Sequence, residues 1–168
     1  MIPWTLIDTA SVPGGSDELR LKQRGTEFSI MLGTNELMNS RLSGSEEALA
    51  RLSCDKIRDR PRPRILIGGL GMGFTLRAAL AEVPDVDNGP EALTRDENDR
   101  IYDLGGLGAA KRALRPGGVL SVWSSAPDSQ FTRRLKTAGF TTDEVPTRAN
   151  GKRGGARHMI WVAAKDKR

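Results

Sequence analysis

"ILIGGLGMGFTLRAALAEVPDVDNGP", residues 65–90, is the stretch on which the fold turns. "RILIG" (64–68) is a short β-branched run bounded by Pro63 and a glycine cluster, which predicts a buried parallel strand. "GGLGMG" follows as a loop, and "FTLRAALAEV" predicts a helix with Leu76, Ala79, Leu80 and Val83 in an i, i+3, i+4, i+7 stripe. Gly69, Gly71 and Gly73 form G-x-G-x-G between that strand and that helix, with Met72 inside the motif. Glycine suits the position because a Cβ would block the turn or hold the backbone away from a ligand over the helix N-terminus. A tight turn that binds nothing is the plainer alternative. "DVDNGP" (85–90) then offers Asp85, Asp87 and Asn88 in a second loop. At the C-terminal end of a strand in an open α/β sheet, Asp85 would face the same crevice, where an aspartate could accept a proton from an amine or hold a nucleoside amino group. An Asx turn capping the next segment explains the same residues without a ligand.

Outward from this stretch, the N-terminal side reads as a small β unit. "TLIDTASV", "ELRLKQRG" and "TEFSIML" predict two or three antiparallel strands over residues 5–33, with Leu19 and Leu21, and Phe28, Ile30 and Leu32, on one face. "SGSEEALARLSCDKI" predicts a helix capped by Ser43 or Ser45, with Glu46 and Glu47 complementing the dipole of its first turn. "RDRPRPR" (58–64) cannot continue it and reads as a stiff linker. The expected organisation is therefore 1–57 as a β unit plus helix, 58–64 as linker and 65–168 as the α/β domain that carries the glycine loop.

Towards the C-terminus, a helix is expected over about 97–114 with a kink near Gly105 and Gly106, ended by "RPGG" (115–118). "VLSVWSS" is a strand. "PDSQFTRRLKTAGF" is a helix capped by Asp128 or Ser129 and stopped at Gly139. "TTDEVPTR" and "HMIWVAAK" form a hairpin across "ANGKRGG". Alternating strand and helix ending in a hairpin is an α/β pattern with one antiparallel strand.

At 168 residues the chain holds one domain with a small appendage. Its 26 Lys+Arg against 21 Asp+Glu leave +5, concentrated in apparent loops and the tail without interleaved aromatic residues, so nucleic acid is not the indicated partner. One cysteine, Cys54, excludes an internal disulfide and, with the single histidine His158, leaves no metal-ligand cluster. Cys54 reads as a small buried hydrophobe, His158 as structural or surface, and Trp123 and Trp161 as core ahead of pocket wall. No apolar run approaches the roughly 20 residues of a membrane helix, and no signal peptide is evident, so a cytoplasmic location is expected.

With "ILIGGLGMG", "DVDNGP", "LRPGGVLSVWSS" and the terminal "HMIWVAAK" in this order, the chain resembles the class I S-adenosylmethionine-dependent methyltransferases, and more narrowly their spermidine synthase-like (polyamine aminopropyltransferase) branch. The resemblance implies a Rossmann-like, largely parallel sheet of order 3-2-1-4-5-7-6 after a small N-terminal β unit. It implies a donor, S-adenosylmethionine or its decarboxylated form, bound by Gly69, Gly71, Met72, Gly73, Asp87 and Asn88, with Asp85 as base and no metal. It further implies transfer of an aminopropyl or methyl group to a small amine or other nucleophile, by a homodimer. Asn88 stands where the branch carries an aspartate, and Leu70 or Met72 replaces the aspartate of its glycine loop. Two rival expectations are a non-catalytic family member serving as ligand sensor or structural partner, and a basic nucleic-acid methyltransferase.

Only Pro84 separates "ALAEV" from "DVDN". Strands 2, 3 and most of 4 are therefore missing at 84/85, a deficit of about 50 to 60 residues at ordinary βαβ lengths. The acid that would bind the ribose hydroxyls belongs to that stretch. The expectation is of a segment omitted between Pro84 and Asp85.

Overall fold

The computed structural model describes residues 2–12, 16–83 and 102–167. The chain divides into two units, Met1–Ser43 and Gly44–Arg168.

The first unit is an antiparallel four-stranded meander, β1 (Thr5–Ser11), β2 (Glu18–Arg24), β3 (Glu27–Leu32) and β4 (Asn35–Asn39), in the order β1-β2-β3-β4. Register pairs Leu19 with Leu32 and Leu21 with Ile30, so the alternating apolar residues of β2 and β3 share one face. On the opposite face Arg41 bridges Glu27 (3.2 Å) and Glu36 (3.0 Å), and the buried Ser29 hydroxyl donates to Glu36 (2.8 Å). The fourth strand, "NELMN", carries too short an alternation to be read from sequence, and a register shift between Ile30 and Met31 interrupts its ladder.

The second unit begins with α1 (Gly44–Asp55) and continues through α2 (Phe74–Glu82), α3 (Leu104–Ala113), β5 (Val119–Ser124), α4 (Ser129–Thr137), β6 (Thr141–Arg148) and β7 (Arg157–Ala164). Its sheet has the order β5-β7-β6, with β7 antiparallel to both neighbours, so β5 and β6 run parallel to each other without touching. β7 is the core strand. Trp161 and Ala163 face one layer, formed with Leu107 of α3 and with Phe131 and Leu135 of α4. Ile160 and Val162 face the other, formed with Ala48, Leu49 and Leu52 of α1. Both faces of β7 are thus closed by helices, and Trp161 is only 1% exposed.

Sequence-encoded stops set the helices of this unit. Asp128 accepts hydrogen bonds from the amides of Gln130 (2.8 Å) and Phe131 (3.0 Å), and Gly139 at φ 83° ends α4. Asp103 caps α3 through the Gly106 amide (2.7 Å). The expected mid-helix kink at Gly105 and Gly106 is therefore a first turn instead, because a good cap is available two residues before Gly105. α1 is anchored at its start: the Gly44 amide donates to the Ala149 carbonyl (2.9 Å), and a Cβ on Gly44 would lie 2.2 Å from the Gly151 nitrogen. Only glycine allows the helix to sit so close to the β6–β7 turn.

The parallel Rossmann-like sheet is not found. Both sheets among the described residues are antiparallel, and residues 64–68, expected as the first parallel strand, belong to neither. The physical reason lies in the sequence. A strand exists by pairing, and the described residues supply none of the parallel neighbours that a central strand of that fold needs. What survives is the β5-β7-β6 group, whose elements are close enough in sequence to supply one another's partners. The Pro84–Asp85 junction lies outside the described residues.

Candidate functional site

Residues 61–68 belong to no helix or strand, and their exposure alternates residue by residue from Arg62 to Gly68. Ile65 and Ile67 turn inward onto Ala50, Cys54 and Ala79, the small residues at which α1 and α2 meet. Leu66 points away and is 87% exposed. This packing delivers the chain to the glycine loop at the start of α2.

The loop requires its glycines by conformation. Gly69, Gly71 and Gly73 have φ of 85°, 51° and 73°, the left-handed region that side chains disfavour. Space is not the constraint: a Cβ on Gly69 or Gly73 would meet nothing within 4 Å. The Gly73 amide closes a turn onto the Leu70 carbonyl (2.8 Å), and the Gly73 carbonyl accepts from Arg77 (2.8 Å) to start the helix. As N-cap, Gly73 brings no side chain to satisfy the first-turn amides. The structure thus brings Gly69, Gly71, Met72 and Gly73 together on one turn. Asp85, Asp87 and Asn88 lie outside the described residues.

Between them, α1 and α2 leave a shallow groove of about 360 Å³ lined by Glu47, Arg51, Arg77, Ala78, Ala81 and Glu82, with no residue of the glycine loop in its lining. Its charges are mostly engaged. Arg77 pairs with Glu47 (3.1 Å), and Glu82 pairs with Arg58 (2.5 Å), which also holds Asp55 (2.8 Å). Hydrogen bonds donated to Asp55 and then to Glu82 push the Arg58 guanidinium above its ordinary value, keeping it charged. These pairs are solvent-exposed and contribute little to stability. Burial, reinforced by the nearby Glu82 carboxylate, pushes the Cys54 thiol up. Cys54 is thus a packing residue without nucleophilic character at neutral pH.

Sequence reasoning missed a polar chain on the other side of α1. His158 of β7 lies with Nδ1 3.0 Å from the Ser45 hydroxyl, which donates to Glu46 (2.7 Å). Because the single hydroxyl proton goes to the carboxylate, Nδ1 carries the proton shared with Ser45. The His158 ring also meets Trp123 edge-on at 4.9 Å. Ser45 is fully buried, so this chain orients α1 on the sheet and presents no accessible nucleophile. No signal in sequence links positions 113 residues apart. Trp161 is core, donating from Nε1 to Thr132 (2.8 Å), whereas Trp123 is partly exposed.

The arrangement offers three structural conditions for a polar ligand: a left-handed backbone turn, open space beside Gly69 and Gly73, and a helix N-terminus without a side-chain cap. No helix among the described residues is long and apolar enough to cross a membrane. No protein-family model matches this chain, and no curated protein matches it.

Proposed function

We propose that the chain is a spermidine synthase-like transferase that binds an S-adenosylmethionine-type nucleoside at Gly69–Gly73 and moves an alkyl group, aminopropyl or methyl, to a nucleophile. The observation that carries this reading is the left-handed conformation of all three motif glycines immediately before α2, with open space beside Gly69 and Gly73. The β5-β7-β6 order, which is also the order of the last three strands implied by the resemblance, adds support. The sulfonium donor is already activated. A nucleophile's lone pair forms the new bond to the alkyl carbon, the C–S bond breaks onto sulfur, and an amine nucleophile gives up one proton. Asp85 is the base proposed for that proton, with Asp87 and Asn88 as further donor contacts. The protein's contribution is in-line positioning and a base that keeps the amine neutral.

A second reading, a non-catalytic ligand sensor or structural partner of the same family, is favoured by the two antiparallel sheets. Among the described residues no parallel strand delivers a carboxylate to the glycine loop. Calorimetry with S-adenosylmethionine, its decarboxylated form and methylthioadenosine tests both. The first reading expects binding of at least one, weakened tenfold or more by Gly69→Val, together with product formation from an amine acceptor. Binding without turnover favours the second reading, and binding of none contradicts both nucleoside roles.

A further inference from the structure

We propose that the tip of the β6–β7 hairpin is a clamp for the phosphate backbone of a nucleic-acid duplex, formed by Arg148 and Arg157 with Lys152 and Arg153 beside them. The pairing register sets Arg148, the last residue of β6, directly against Arg157, the first of β7. Like charges at opposed strand positions destabilise a ladder. The neighbouring sequence does not relieve them, since residues 145–165 hold five Lys and Arg and no Asp or Glu. Among the described residues Arg148, Lys152, Arg153 and Arg157 make no ion pair, and all four are exposed. The carboxylates at the start of α1, where Gly44 abuts Gly151, are engaged elsewhere: Glu46 accepts the Ser45 hydroxyl and Glu47 pairs with Arg77 (3.1 Å).

Backbone hydrogen bonds order the tip. The Ala149 amide donates to the Ala156 carbonyl and the Asn150 amide to the Gly154 carbonyl, both at 3.0 Å, with Gly151, Gly154 and Gly155 at positive φ closing the turn. Arg148 is held along it by donating from one terminal nitrogen to the Gly155 carbonyl (3.2 Å). A phosphodiester group seated between two guanidinium groups accepts charge-assisted bonds from both and turns their repulsion into attraction. The composition of the tip selects the occupant. Four cations distributed over residues 148–157 suit a repeated anion more than a single one. An anionic bilayer is disfavoured, because residues 145–157 present no exposed large apolar side chain to enter it. A single strand is disfavoured as well, because those residues include no aromatic ring on which bases could stack. A duplex backbone asks for neither, and contacts to phosphates alone carry no sequence preference. Sequence leaves these residues as a solvated basic loop, and the Arg148–Arg157 register is what adds a site. The inference does not rest on nucleoside binding, since the hairpin shares no residue with the glycine loop.

The test titrates the full chain into a labelled duplex of mixed sequence, read by fluorescence anisotropy at several salt concentrations. Contact by all four cations predicts a slope of log K against log salt of about −3.6, so affinity should fall on the order of a hundredfold between about 50 and 200 mM salt. Arg148→Gln combined with Arg157→Gln should flatten that slope by about 1.8 and weaken binding about tenfold or more at the lower salt. Circular dichroism should be unchanged, because both side chains are exposed. Lys152→Gln with Arg153→Gln, in the turn itself, should act likewise. Arg112→Gln with Arg133→Gln removes the same charge from exposed positions on α3 and α4 and should leave the slope as in the wild type. Absence of duplex binding at the lower salt overturns the proposal. An equal loss from the Arg112 and Arg133 pair overturns it too, because net charge alone would then account for the binding. Binding of phosphatidylserine vesicles or of poly-glutamate, with none of the duplex, overturns it in favour of a lipid or an acidic protein as the occupant.

Discussion

The "WVAA" end of β7 and the "ILIG" run at 65–68 look equally strand-like in sequence, and the molecule treats them oppositely. β7 has a hydrogen-bonded neighbour on each edge and a helical layer on each face, and Ile160 to Ala163 are all buried. Among the described residues, 65–68 have one helical layer and no paired edge, with a leucine 87% exposed in their middle. Side-chain burial on one face fixes an extended conformation. Two partner strands are what convert it into a sheet.

Substitutions should sort by that contrast. Trp161→Ala removes an indole packed edge-on against Phe131 at 5.0 Å and leaves Thr132 without its donor, and should cost about 3–5 kcal/mol by urea denaturation monitored by circular dichroism. Gly44→Ala, which would force α1 off the β6–β7 turn, should cost about 1–3 kcal/mol. An equal loss from Leu66→Ala would erase the contrast. Asp128→Ala removes a cap that accepts two amides and should cost about 1 kcal/mol, read as a lower urea midpoint with unchanged slope.

These sites also show what was legible. The β6–β7 hairpin, the α4 cap and the pairing face of β2 and β3 follow from local pattern, since turn residues, a capping aspartate and period-two alternation act within a few residues. The parallel sheet did not follow, because "RILIG" shows its own side chains and not which strands stand beside it. The α1 assignment shows the same limit: the amphipathic pattern of "EEALARL" marks a helix, while its place on β7 rests on Ser45, His158 and the Gly44–Gly151 approach, far apart in sequence. The glycine spacing was readable, and the left-handed backbone gives it a physical basis.

A smaller effect is electrostatic and belongs to the N-terminal unit. Burial tends to raise the Glu36 carboxyl, but hydrogen bonds from Ser29 and Asn39, with the charge of Arg41, outweigh it and hold Glu36 below its ordinary value of 4.5. A depressed folded-state value means the stabilisation is complete above about pH 4.5 and is lost as the pH falls through the lower folded value. Glu36→Gln should therefore flatten the acid limb of the stability profile of the β1–β4 sheet. The smallest effect should come from Leu66→Ala, within about 0.5 kcal/mol of wild type, because that side chain contacts mainly water.

Native-state amide exchange tests the contrast between the two strand-like runs most directly. The amides of Ile160 to Ala163 should exchange only through global unfolding, and those of Ile65 to Gly68 at rates near those of an unstructured chain. Slow exchange across residues 65–68 would place them in a paired sheet and contradict the account.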